Sequence, residues 1–292
     1  MSQEKSYVTV NNKETLKQLV QHIRESEYVA FDTETNSLNP RKGSIIGFSV
    51  SGEVAKGFYM PTMVWNTEKE VLEELIIEGK GAHELAKFAI SQLLDKKVIC
   101  HNASFDLRYV KNFYGIDLLP HLHADTSLLV HTVKEEGAFG FGNPFGLKSI
   151  AKMVQADIGL DVESEANEEQ LELKASIKAN GGAVSKDNFE IYKADLEILS
   201  KYAAADTDLT LRIYHHFYKI LVEEGLETFF FEEEVMPVYR EVTIPMEEHG
   251  IRLDIPLIQE TQASIAKNLE EQSTAVVQEL LKLPEVRGWI ID

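Results

Sequence analysis

Tyr28-Val29-Ala30-Phe31-Asp32-Thr33-Glu34-Thr35-Asn36-Ser37-Leu38 is an apolar run that ends in two carboxylates and then in polar turn residues. Side chains along a strand alternate with a period of two, so Asp32 and Glu34 point to one face. Two acids at the end of a buried strand repel each other, and their desolvation is unfavourable. A divalent cation is the simplest compensation, because hard cations such as Mg²⁺ prefer carboxylate oxygens. The competing reading is a solvated turn that happens to carry two acids. Asp and Glu make up 48 of the 292 residues, and Glu25/Glu27, Glu163/Glu165 and Asp206/Asp208 show the same spacing. The decision therefore rests on the surrounding chain.

Around this stretch, strand and helix patterns alternate. Tyr7–Val10 reads as a strand. Asn11 or Asn12 caps a helix from Lys13 to about Glu25, with Leu16, Leu19, Val20 and Ile23 at helical spacing. Ser44–Val50 and Lys56–Met60 read as strands joined by the turn Ser51-Gly52-Glu53, an antiparallel hairpin or meander. Helical patterns follow at Glu68–Ile77 and His83–Leu94, then a buried strand at Lys97–His101, a helix to about Phe113, a short strand near Leu122–Ala124 and a helix from Thr126 to Val133. Lys134–Pro144 is rich in Gly and Phe and reads as a mobile loop. Leu147–Val154 looks helical, the acidic residues 161–180 read as an exposed helix or loop, and strong helical periodicity runs from about Ser185 to Glu224. Leu226–His249 and Ile255–Lys282 read as further helices. Strands first, with helices interleaved, predict an α/β class with a mixed sheet and a helical appendage from about Leu226.

Composition narrows the function. A net charge of −19 argues against a protein that coats nucleic acid broadly, since such binders neutralise phosphates with basic residues. It remains compatible with an enzyme that grips a few nucleotides through bound metals. No segment has the 18 or more consecutive apolar residues expected of a membrane span, and the N-terminus lacks a signal peptide's apolar core. The single cysteine, Cys100, excludes an internal disulfide, reads as a buried small hydrophobe and suits a reducing cytosol. The expected location is the cytoplasm.

Three further sites carry acids. In Asn102-Ala103-Ser104-Phe105-Asp106, Asp106 sits in the first turn of a helix leaving a buried strand, where α/β sheets place ligands. Its competing role is to complement the helix dipole. In Tyr202-Ala203-Ala204-Ala205-Asp206, the phenol and carboxylate share one helix face, and the alanines imply close packing. Asp125, before Thr126, reads as a helix N-cap. His101, His121 and His123 have no recognisable metal-ligand spacing and read as structural or solvated.

Asp32-x-Glu34, Asn102-x3-Asp106 and Tyr202-x3-Asp206, in this order, resemble the three exonuclease motifs of the DEDD superfamily. The tyrosine marks its tyrosine subtype, since the histidine subtype would carry His where Lys201 stands. Phe31–Leu38, Tyr202-Ala203-Ala204-x-Asp206, Glu232–Pro237 with its Met236-Pro237, and Glu247-x2-Gly250-Ile251-x-Leu253-Asp254 are similar to the 3′–5′ proofreading exonuclease of family A DNA polymerases and its passage into the thumb. The resemblance covers roughly residues 5–260. Asn36 stands where the family often has Asp, a position that is not a metal ligand.

That resemblance implies a ribonuclease H-like mixed sheet, an exonuclease domain at 1–225 and the beginning of a thumb at 226–292. It further implies either a truncated polymerase or a stand-alone exonuclease, with no 5′-nuclease domain ahead of it. Such a start is common among viral polymerases, which would place the protein in host cytoplasm. The implied reaction is hydrolysis of DNA 3′ ends to nucleoside monophosphates with two Mg²⁺ or Mn²⁺ ions. Asp32, Glu34 and Asp206 would hold one ion, with Asp32 bridging to a second supported by Asp106. Tyr202 would orient the attacking water. Thr33, Leu38, Asn102 and Phe105 would contact the terminal nucleotides, and the 137–146 loop would either close over single-stranded DNA or remain a surface loop. The implied partners are a single-stranded DNA 3′ end and a polymerase portion or replication proteins. Two alternatives stay open here: an RNA 3′-exonuclease similar to ribonuclease D, and a non-catalytic scaffold.

Overall fold

The computed structural model describes residues 4–134, 145–160, 162–185 and 188–283. β1 (Ser6–Thr9) leads into α1 (Lys13–Glu25), which begins where the Asn12 side chain accepts the amides of Glu14 and Thr15. β2 (Tyr28–Thr35), β3 (Ile45–Glu53) and β4 (Lys56–Pro61) then form an antiparallel meander. β5 (Met63–Asn66) pairs with β6 (Val71–Glu74), and β7 (Ile76–Ile77) with β8 (Lys80–Gly81), in two small ribbons beside the main sheet. The helix expected at Glu68–Ile77 is therefore β structure. Its Glu and Leu favour helix, but propensity is a weak influence, and pairing with the Trp65 strand, whose indole lies 5.7 Å from the Tyr192 ring, overrides it.

α2 (Ala82–Ser91), β9 (Lys97–Cys100), α3 (Ala103–Tyr114), β10 (Leu122–Asp125) and α4 (Thr126–Val133) complete the sheet and its first helices. The main sheet has the order β1-β4-β3-β2-β9-β10, with β2 parallel to β9 and β9 parallel to β10. α5 (Leu147–Val154), α6 (Val162–Ala179) and α7 (Leu196–Glu223) follow. α6 is not the exposed segment its acidity suggested: Leu173 and Ile177 are fully buried, and the helix packs on α7. The helix expected from Ser185 starts only at Leu196. Val184 and Phe189 form a bridge, and Asp195 accepts the Ser176 hydroxyl and so ties the helix start to α6.

α7 lies across β1, β2, β3 and β4 on one face of the sheet. α1 packs on the opposite face, where the His22 ring lies 4.9 Å from that of Phe58. Leu226–His249 is not one regular helix. α8 (Val235–Val238) and α9 (Ile244–His249) alternate with wide π-turns at Phe229–Glu233 and Tyr239–Thr243. Pro237 and Pro245 lack the amide that regular helix requires. Phe230, Met236 and Ile244 are nevertheless buried, and one compact unit is Met1–Glu248. The second unit, His249–Asp292, contains α10 (Ile255–Leu280), capped by Asp254, which accepts the Leu257 amide.

Candidate active site

In β2, Asp32 stands opposite Ser49 and Glu34 opposite Gly47, so both acids point to the face that α7 covers. From α7, Tyr202 and Asp206 come down one turn apart. The alanines between them have a steric reason. A Cβ at Gly57 of β4 would lie 2.7 Å from the Ala204 carbonyl oxygen and 3.1 Å from its Cβ. Glycine on the sheet and alanine on the helix thus let the two backbones approach, which lowers Tyr202 and Asp206 toward the β2 acids.

Asp106 enters from α3 and is buried. The Thr33 amide and hydroxyl donate to its Oδ1 at 2.9 and 2.5 Å, tying it to the β2 residue that stands between Asp32 and Glu34 in sequence. The entry to α3 is held by Asp125. Its two oxygens accept the amides of Asn102 (3.2 Å) and Ala103 (2.6 Å), the Ser127 amide (2.9 Å) and the Tyr239 hydroxyl (3.1 Å). Asp125 is thus the expected N-cap of α4 and also serves α3. Asn102 itself is held in the left-handed region, at φ 66° and ψ 54°.

Burial and mutual repulsion dominate the electrostatics. Desolvation, offset in part by Lys148, pushes the Asp32 carboxyl up to about 7. Glu34 is raised well above the ordinary range by burial and then by Asp32. Asp106 is raised by burial and by Asp32, against the lowering effect of the Thr33 hydrogen bonds. Burial, followed by the charges of Glu34 and Asp32, raises the Tyr202 phenol. Lys148, on α5, was not anticipated from sequence. Its ammonium is paired with Asp206, lies 4.8 Å from the Tyr202 ring centre and is lowered to about 8 by desolvation.

These acids form an oxygen-only donor set crowded with like charge, which fits hard divalent cations. As the side chains lie, no three acids or histidines among the described residues stand close enough together to enclose an ion, and Asp206 is engaged by Lys148. Next to Glu34 opens a cleft of about 490 Å³, whose walls include Thr33, Leu38, Phe105, Asn188 and Phe189. Three of the four expected substrate contacts meet there, and Leu38 is 82% exposed. Asn102 does not line the cleft. Asn188 and Phe189 were not anticipated from sequence; the bridge between Val184 and Phe189 brings them in. Residues 135–144 of the Gly/Phe loop lie outside the described residues.

A family model described as 3′–5′ exonuclease matches residues 7–222. DNA polymerase I of Borreliella burgdorferi is 27% identical over 254 residues, covering 85% of this chain and 23% of that protein. The DNA polymerase of Escherichia phage T5 is 26% identical over 273 residues, covering 89% of this chain and 27% of that protein. The chain thus spans about a quarter of the length of these relatives. Among solved structures, Brucella melitensis NrnC superimposes with a TM-score of 0.50 at 15% identity, covering 86% of this chain and 99% of that one, which supports the ribonuclease H-like fold. With the family match spanning the sheet, α7 and all five expected catalytic residues, the chain belongs to the 3′–5′ exonuclease family found in DNA polymerases of the polymerase I type.

Proposed function

We propose that the chain removes nucleotides from DNA 3′ ends as a proofreading exonuclease, using two divalent cations, Mg²⁺ or Mn²⁺, held by Asp32, Glu34, Asp106 and Asp206. The observation that carries this reading is the meeting of the Asp32/Glu34 face of β2 with Tyr202 and Asp206 of α7, while Thr33 pins Asp106 beside them. When bound, the cations would supply charge stabilisation to the attacking and leaving oxygens of the phosphodiester.

The chain's own residues do the rest. Asp32 and Glu34 must be ionised to act as ligands, and cation binding would favour that state over the protonated one that burial favours. Tyr202 keeps its proton and orients the attacking water by hydrogen bonding. Thr33, Leu38 and Phe105 would seat the terminal nucleoside in the cleft beside Glu34, with Leu38 against the base. Asn102 would contact the strand at its exposed helix entry. The segment from residue 226 would lead toward a polymerase portion, the partner this reading implies.

The test is incubation with 5′-labelled single-stranded DNA and with RNA of matching sequence, in Mg²⁺ or Mn²⁺, with Asp32→Ala alongside. Stepwise shortening of DNA, lost in the variant and in EDTA, is the expected result. Equal decay by the variant would overturn the site, and decay of RNA alone would overturn the substrate.

A further inference from the structure

Two buried hydroxyls on the face of the acid pair have no hydrogen-bond partner among the described residues. Ser49 and Tyr59 are both fully buried, and neither the Ser49 Oγ nor the Tyr59 hydroxyl has a hydrogen-bond partner among the described residues. An unpaired buried hydroxyl is unfavourable, and native structures contain few of them. Their placement follows from strand register. Ser49 is the cross-strand neighbour of Asp32 and pairs on its other side with Tyr59. Gly47 is the cross-strand neighbour of Glu34, and a Cβ there would overlap the Tyr59 hydroxyl. The phenol therefore lies over the backbone of β3 in the space that a side chain at Gly47 would fill, beside the residue paired with Glu34. All five residues share the face under α7.

The carboxylates have the complementary deficit. Among the described residues no hydrogen-bond donor reaches Asp32 or Glu34; the positive charge acting on them is that of Lys148. The phenol proton is firmly held, since burial and then the charges of Glu34 and Asp32 raise it well above its ordinary value. Tyr59 is therefore a donor at any working pH.

We infer that Tyr59 and Ser49 are positioning residues for the cation site: the Tyr59 hydroxyl donates to Glu34 or to cation-bound water beside it, and the Ser49 hydroxyl does the same for Asp32. These hydroxyls, without a protein partner and on the same face as the two acids, would find their acceptors at that site. Outer hydrogen bonds of this kind orient ligands and commonly carry tenfold or more of metal affinity. This rests on the cation site proposed above.

The test titrates Mn²⁺ alone into the full chain without DNA, following the melting temperature, for the wild type, Tyr59→Phe and Ser49→Ala. For Tyr59→Phe the half-saturating Mn²⁺ concentration should rise about tenfold, while the melting temperature in EDTA stays equal to or above the wild type, because an unpaired buried group has been removed. Ser49→Ala should shift the Mn²⁺ response in the same direction. An unchanged Mn²⁺ response in both variants, with a normal wild-type response, overturns this inference alone. A lower melting temperature in EDTA with an unchanged Mn²⁺ response also overturns it, and assigns the hydroxyls to packing. A wild type that does not respond to Mn²⁺ overturns both this inference and the cation site beneath it.

Discussion

The Lys148 ammonium is ion-paired with the Asp206 carboxylate, at the place where a cation would have to engage that acid. The lysine also lies over the Tyr202 ring and is the cation that acts on Asp32 and Glu34. It therefore offsets part of the crowded negative charge around Asp32 and Glu34 and, if Asp206 is the ligand proposed above, would compete with a cation for it. Replacing it by the uncharged Lys148→Met should tighten Mn²⁺ binding in the absence of DNA about fivefold, equivalent to about 1 kcal/mol. Calorimetric titration measures this. Weaker Mn²⁺ binding in the variant would mean that Lys148 supports the site rather than competing for it.

The raised acids make stability depend on pH. Asp32 moves from 3.8 to about 7, so the folded, metal-free chain holds a proton that the unfolded chain releases. Its contribution is fully present below about pH 4 and is lost as pH rises through about 7. Glu34 and Asp106 act with the same sign. His22 and His123, lowered to about 4 by burial, oppose it, because they add stability as pH rises toward 6.5. The clean measurement is therefore a difference. In EDTA, the melting temperature of the wild type minus that of Asp32→Asn should fall from pH 5 to pH 8. Saturating Mn²⁺, which needs the ionised acids, should reverse that slope. A difference that rises with pH in EDTA would contradict the raised Asp32 carboxyl.

What could be read from the sequence was whatever a single element encodes. The period of two placed Asp32 and Glu34 together, and the spacing of Tyr202 and Asp206 placed them on one helix face. The alanines between them signalled the close approach that Gly57 completes. Lys148 could not be read this way, since it meets Asp206 from 58 residues away and only through the packing of α5 on α7. Asp125 was legible as the cap of α4, because the partner amide is two residues on, but not as the cap of α3, whose amides lie across β9 and β10. The β5–β6 ribbon was missed for the same reason: its Glu-rich sequence leans toward helix, and only its strand partner decides.

Tyr202 should act by hydrogen bonding rather than as a base. Burial and the neighbouring carboxylates raise its phenol above the ordinary value, so no phenolate forms in the working range. Tyr202→Phe should slow hydrolysis of single-stranded DNA by about ten- to a hundredfold and leave the shape of the pH–rate profile unchanged between pH 6 and 10. A high-pH limb present in the wild type and absent from the variant would reveal a phenolate base and refute this role.

Asp125 stabilises the site without belonging to it. One carboxylate satisfies the first amides of α3 and α4 and the Tyr239 hydroxyl, so it locks the helix that carries Asp106 to the segment beyond α7. Removing it leaves buried donors unpaired at two helix starts and releases Asn102 from its left-handed geometry. Asp125→Ala should lower the free energy of unfolding in urea by about 3 kcal/mol. Asp125→Asn keeps one acceptor oxygen and should lose roughly half as much. Asp32→Ala should do the opposite, abolishing hydrolysis while unfolding no more easily than the wild type in EDTA, since it removes a repelling acid. If Asp125→Ala unfolded like the wild type, the shared cap would not be what holds Asp106 in place, and the Thr33 hydrogen bonds alone would have to do so.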